Sequence, residues 1–183
     1  MVLGDSISAA YGLDSPSQGW VNLLAERIKS TGHSWSIVNA SVSGEVSAGG
    51  LSRVDALLAK HRPNMVILEL GANDGLRGLQ PSLMQANLAE IMLRSKQSGA
   101  KIVLLGMRIP PNYGKRFNDL FEAVFPNLAK QHGAAYVPFL LEGVGGNPKF
   151  MQPDGLHPNA EAQTLLMGLV WEKLAPLLPS YDK

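Results

Sequence analysis

Two distant places in this chain hold the parts of an activated nucleophile. Near the start stands Gly4-Asp5-Ser6, and far along the chain Asp154-Gly155-Leu156-His157-Pro158. A serine hydroxyl is a weak nucleophile at neutral pH. It needs a base to take its proton, and that base needs a partner to fix its tautomer and stabilise its positive charge. Asp154 lies three residues before His157 in a loop marked by glycine and proline, where a turn can bring carboxylate to imidazole. Ser6, His157 and Asp154 are therefore the candidate nucleophile, general base and orienting acid. Each has a plainer reading when taken alone: a turn or cap serine, a loop histidine, and an aspartate bonded to its own turn.

Acyl transfer also needs donors aimed at a developing oxyanion. Asn73 in Gly71-Ala72-Asn73-Asp74 offers an amide, Gly44 after Ser43 offers an N–H with no side chain in the way, and the N–H of Ser6 is a third. An Asx turn at Asn73 and a left-handed turn at Gly44 remain open as alternatives. Other motifs fail. Gly4-Asp5-Ser6-Ile7-Ser8 lacks the second glycine of the Gly-x-Ser-x-Gly elbow. Gly71 to Gly75 has neither the Gly-Lys-Ser/Thr ending of a phosphate loop nor the Gly-x-Gly-x-x-Gly fingerprint. None of the four histidines stands at metal-ligand spacing, so neither a metal nor a cofactor is expected.

These residues must be held by a frame, and the pattern supplies one. Short apolar runs at Met1 to Leu3, Ser36 to Val38, Met65 to Leu70, Lys101 to Met107 and Ala135 to Val137 read as strands. Helices are expected at Trp20 to Ser30, Gly50 to Lys60, Ser82 to Ser98, Arg116 to Gln131 and Glu161 to Leu174, the last with a stripe of Leu165, Leu166, Leu169, Val170 and Leu174. Gly32, Gly99 and Gly133 each follow a helix where a left-handed cap belongs. Alternation of this kind implies an α/β fold: a three-layer αβα sandwich, flavodoxin-like, with a five-stranded parallel sheet and helices on both faces. Residues 1–183 then form a single domain. Ligands in such sheets bind beyond the carboxyl ends of the strands, and four polar loops follow four strand candidates to that rim.

Taken in order, Gly4-Asp5-Ser6, Gly44, Gly71-Ala72-Asn73-Asp74 and Asp154-x-x-His157 resemble the four signature blocks of the SGNH (GDSL-type) hydrolases, over essentially the whole chain. That resemblance implies Ser6 as nucleophile, Gly44 and Asn73 as partners in an oxyanion hole, and Asp154-His157 as the rest of a triad. Asn39 to Gly44, Glu69-Leu70-Gly71, Asn73 to Gly78 and Arg108 to Gly114 are similar to the bacterial multifunctional thioesterase/protease/lysophospholipase subgroup. The subgroup implies hydrolysis of acyl esters and thioesters, and a periplasmic or secreted location. Its members carry a longer first strand and usually a signal peptide. Met1-Val2-Leu3 leaves room for neither, so a trimmed start is expected.

On the substrate side, Leu76 with its neighbouring glycines and the stretch Arg108-Ile109-Pro110 are expected at the rim as an acyl-binding wall. Asp5 joins them as a residue beside the nucleophile, while Asp5 and Asp74 also read as carboxylates that hold loop N–H groups. The alternatives are a carbohydrate O-acetylesterase, which a small polar pocket would favour, and a non-catalytic flavodoxin-like binding module. A receiver domain is a poor match, because Ser6 and Asn73 stand where acidic residues are wanted.

Composition narrows the partners. A formal charge of +1 and the lack of a basic run argue against nucleic acid. With 45% apolar and 17% charged residues the chain suits a packed globule and a small-molecule substrate, read here as a monomer. No cysteine is present, which removes thiolate catalysis and disulfides together. No apolar stretch reaches the ~18 residues that span a bilayer.

Overall fold

A computed structural model describes residues 1–179. Four parallel strands, β1 (Val2–Gly4), β2 (Met65–Glu69), β3 (Lys101–Leu105) and β4 (Ala135–Val137), lie side by side in that order. Helices α1 (Trp20–Ser30) and α2 (Ser47–His61) separate β1 from β2, and α3 (Ala72–Leu76) and α4 (Pro81–Gln97) separate β2 from β3. Helix α5 (Lys115–His132) joins β3 to β4, and α6 (Gln163–Leu174) follows. Parallel neighbours cannot be joined by a tight turn, so each crossover must carry a helix back over the sheet. Helices α2, α4 and α5 pack in a row, while α1 pairs with α6, giving helical layers about the sheet.

The sheet has four strands where five were expected. Residues Ser36 to Val38 are irregular, and the chain makes a single parallel bridge, Val2 to Asn39. The Val2 N–H donates to the Val38 carbonyl at 2.8 Å, and the Ala40 N–H to the Val2 carbonyl at 2.9 Å. Beyond that rung the Val42 N–H donates to the Gly4 carbonyl at 3.0 Å, so the segment follows β1 without completing a ladder. Counting that segment outside β1 restores the flavodoxin-like order.

The apolar letters explain what lies inside. All five residues of β2 are buried, as are Ile102 to Leu105 in β3, as befits strands covered on both faces. Trp20, Phe121 and Phe125 are the bulkiest buried side chains, each contributing roughly 2–3 kcal/mol through burial. In α6 the inward stripe is Gln163, Leu166, Val170 and Leu174, with Leu165 exposed. Gln163 is useful there: its side-chain oxygen accepts from the Trp20 N–H at 3.0 Å and so ties α6 to the start of α1.

Helix α2 begins at Ser47, three residues before the expected Gly50, because its first turn is capped from elsewhere. The Ser47 N–H and hydroxyl donate to the Asp74 carboxylate at 2.8 and 2.5 Å. A carboxylate suits the exposed N–H groups and positive dipole end of a helix. After β2, where a polar rim loop is expected, Ala72–Leu76 is instead a short helix that enters through Gly71 at φ +118°. A side chain there would collide: a Cβ would lie 2.9 Å from Met84 Sδ and 3.2 Å from Phe125 Cζ. Both steric room and backbone sign demand glycine.

Candidate active site

Strand β1 delivers its last residues to the rim of the sheet and turns sharply. At Gly4 a Cβ would stand 2.7 Å from Glu69 Oε2 and 2.8 Å from Ser8 Oγ, so the strand runs directly against the neighbouring carboxyl. One helical turn follows, with the Ala9 N–H on the Asp5 carbonyl at 2.9 Å and the Tyr11 N–H on the Ser6 carbonyl at 3.1 Å. Ser6 sits at the head of that turn, only 9% exposed.

His157 Nε2 lies 2.9 Å from Ser6 Oγ, and His157 Nδ1 lies 2.6 Å from Asp154 Oδ2. A carboxylate can only accept, so Nδ1 carries the hydrogen and the Nε2 lone pair faces the serine hydroxyl. The loop folds on itself to set this up. Asp154 Oδ1 accepts from the N–H groups of Leu156 at 2.9 Å and His157 at 3.0 Å, around Gly155 at φ +68°. Desolvation alone would raise the Asp154 carboxyl, but the bonds from His157 and Leu156 outweigh it and hold the pKa at about 2.

The other candidates converge on the same spot. The Val42 N–H donates to the Gly4 carbonyl at 3.0 Å, which brings the loop of Gly44 beside β1. Gly44 has φ +78° and its carbonyl accepts from Arg77 Nη2 at 2.8 Å, while its N–H and that of Ser6 meet no acceptor among the described residues. Asn73, on the first turn of α3, donates one amide hydrogen to Asp5 Oδ2 at 2.9 Å. Its second amide hydrogen is left for another acceptor.

Beneath these donors lies a pair of buried carboxyls. Asp5 is 1% exposed and accepts from Ile7 N at 3.0 Å and from Asn73; Glu69 is fully buried, and its Oε2 accepts from Ser8 Oγ at 2.7 Å and Asp5 N at 3.1 Å. Burial raises the Asp5 carboxyl to about 6 against the opposing bond from Ile7. Burial, together with the charge of Asp5, pushes Glu69 well above its ordinary value. Two neighbouring buried carboxyls cannot both ionise cheaply. Both shifts favour the protonated form, and Asp5 Oδ2 accepts from the Asn73 amide.

A cavity of about 130 Å³ opens beside Ser6 and His157. Leu76, Arg108, Ile109 and Pro110 all line it, together with Met107 and Leu156. Asp5 forms part of its floor, with its carboxylate accepting from the Ile7 N–H and the Asn73 amide. The Arg108 guanidinium turns away, 3.5 Å from Glu122 and 3.8 Å from Glu142, and lies 4.7 Å from the Phe139 ring.

Sequence reading missed three residues here. Tyr11 lays its ring 4.6 Å from the His157 ring, Gln152 bonds to the same loop, and Glu69 forms the floor. Only Glu69 left a signal, as one acidic letter inside an otherwise apolar strand. Among the described residues, no three of His, Cys, Asp or Glu gather as metal ligands.

Residues 2–165 match the GDSL-like Lipase/Acylhydrolase family. The chain is 52% identical to an esterase named TesA from Pseudomonas aeruginosa over 97% of its own length and 88% of the relative's. It is 43% identical to thioesterase 1/protease 1/lysophospholipase L1 of Escherichia coli K12, over 97% of this chain and 84% of the other. Among solved structures, the psychrotrophic esterase EstA from Pseudoalteromonas sp., inhibited by monoethylphosphonate, superposes with a TM-score of 0.90 at 39% identity, covering 96% of each chain.

Proposed function

The chain belongs to the GDSL-like lipase/acylhydrolase family and is a carboxylic ester and thioester hydrolase, and from that premise we propose which of its groups do the work. Ser6 is the nucleophile. His157 takes the Ser6 proton as Oγ attacks the carbonyl carbon, and Asp154 steadies the imidazolium that results. The oxyanion rests on the N–H groups of Ser6 and Gly44 and on the Asn73 amide. Collapse expels the alcohol or thiol, which takes its proton from His157 Nε2. Water then enters, gives a proton to His157 and attacks the acyl-enzyme; collapse expels Ser6 Oγ, which takes that proton back from His157 Nε2 as the acid leaves.

The observation that carries this reading is the unbroken relay Ser6 Oγ, His157 Nε2, His157 Nδ1, Asp154 Oδ2, with steps of 2.9 and 2.6 Å across the imidazole. A fluorophosphonate probe tests it, by analogy with the phosphonate that inhibits EstA. One probe should attach at Ser6, with activity lost in proportion to labelling. Labelling at another residue, or full activity in labelled protein, would reject Ser6.

The walls at Leu76, Met107, Ile109, Pro110 and Leu156 are apolar, which favours an acyl chain over a sugar acetate. The enclosed volume suits a short chain, and longer ones would run past Leu76 toward the open recess at Tyr113, Phe117 and Leu120. Tyr113 Oη already joins that recess to the cavity wall by donating to the Leu76 carbonyl at 2.7 Å. Comparing acetyl and octanoyl esters of one phenol ranks the two readings, and a strong acetyl preference would reverse them. We take the working unit to be a single-domain monomer, exported to the periplasm or secreted as its subgroup resemblance suggests. No helix among the described residues is long and apolar enough to cross a membrane.

A further inference from the structure

Ser6 and His157 come from segments 151 residues apart, and something must hold those segments in register. The bonds made by Asp154 fold the base loop on itself and reach nothing on the nucleophile turn. Gln152 does reach it. Its Nε2 donates to the Tyr11 carbonyl at 2.8 Å and to the Pro158 carbonyl at 3.0 Å, which uses both amide hydrogens. Its backbone N–H donates to the His157 carbonyl at 2.8 Å. One residue thus grips the base loop next to His157 and the turn that begins at Ser6.

The receiving side is shaped for this grip. Ala10 has φ +60°, a left-handed conformation that alanine rarely holds. Tyr11 follows it, with its N–H returned to the Ser6 carbonyl and its ring resting on the imidazole. Gly12 has φ +73°, and a Cβ there would lie 2.1 Å from Gln152 Oε1. The turn and the amide are in close contact.

We propose that Gln152 is a positioning residue for hydrolysis: its two-pronged amide clamps the base loop onto the Tyr11 carbonyl and so sets the approach of His157 Nε2 to Ser6 Oγ. The proposal rests on the reading of Ser6 and His157 as nucleophile and base. Displacement of a catalytic group by about 1 Å costs roughly 100-fold in rate. Loss of the clamp should therefore appear in kcat, with substrate binding left alone.

Gln152→Met keeps length and removes both donors, Gln152→Glu keeps shape and turns a donor into an acceptor, and Gly12→Ala keeps the amide but pushes it out of place. All are made in the full chain, beside Ser6→Ala, and assayed on p-nitrophenyl butyrate well below each variant's thermal midpoint. The Gln152 variants and Gly12→Ala should lower kcat and the rate of fluorophosphonate labelling by roughly 10- to 100-fold, with KM within about twofold. The Gln152→Met/Gly12→Ala pair should fall no further than the worse single change, since both break one contact. Wild-type kcat in Gln152→Met, or multiplied losses in the pair, would overturn the proposal. Should Gln152→Met fail to fold, wild-type kcat in Gly12→Ala overturns it equally. Activity surviving in Ser6→Ala would reject the underlying reading, whereas a dead Ser6→Ala beside a wild-type Gln152→Met rejects the clamp alone.

Discussion

The two halves of the site are built by opposite means. On the nucleophile side Ser6, Asp5 and Glu69 are all buried, packed against Gly4 and joined by bonds from three different segments. On the base side Asp154 is exposed, with 39% of its side chain open to solvent, and its bonds come from residues two and three positions away. The first half is held by the fold as a whole, and the second by a local turn. They also titrate in opposite senses. Asp5 is raised to about 6, so its contribution to stability is fully present at low pH and is lost as pH climbs from 3.8 through 6. Asp154 is lowered to about 2, so its contribution is present above 3.8 and is lost as pH falls toward 2. Chemistry placed on a solvent-facing turn can be altered with little harm to the fold; chemistry placed on the floor cannot.

That contrast can be broken at three points. The largest effect belongs to Asp154→Asn, which favours the wrong imidazole tautomer. Its kcat should fall by about 10⁴-fold while the thermal midpoint falls only slightly, since the exposed carboxylate's contribution is screened by solvent. A fall under tenfold, or a large loss of midpoint, would mean that the base side is not the local device described. Next comes Asp5→Asn, which sets an N–H group against the Asn73 amide. Here kcat should drop by about 100-fold, and stability should drop with it by about 1–3 kcal/mol. Urea unfolding beside steady-state kinetics reads both, and a kinetic loss without a stability loss would erase the distinction between the halves. The smallest effect is Glu69→Gln, which keeps a neutral donor beside Asp5. Wild type should lose about 1 kcal/mol per pH unit relative to this variant as pH rises above 4.5, because the raised Glu69 carboxyl, absent from the variant, keeps a proton that the unfolded chain releases. Unfolding curves at pH 5 and pH 7.5 that keep the same gap would show that Glu69 is not the proton carrier.

The same contrast explains what the sequence disclosed. Helix α1 and strand β4 fall where their letters predicted, since both follow strong local patterns. Ser6, Asn73 and His157 line one cavity, Asp154 is bonded to His157, and Gly44 lies on a loop that runs beside β1. What stayed hidden depends on distant partners. Ser36 to Val38 has strand letters, yet the segment makes a single bridge to β1 and stays irregular. The start of α2 is decided by Asp74, which stands 27 residues away. Gln152 carries no chemical signature at all, because its use depends on a backbone carbonyl in another segment.

The span of 151 residues between hydroxyl and imidazole has a consequence for how the enzyme comes into being. The Ser6 hydroxyl lacks its imidazole partner until the segment that carries His157 has been made and has docked beside β1. On the proposed reading, hydrolysis therefore waits until both segments have docked. A simple turnover assay thereby doubles as a stringent gauge of whether folding has gone to completion.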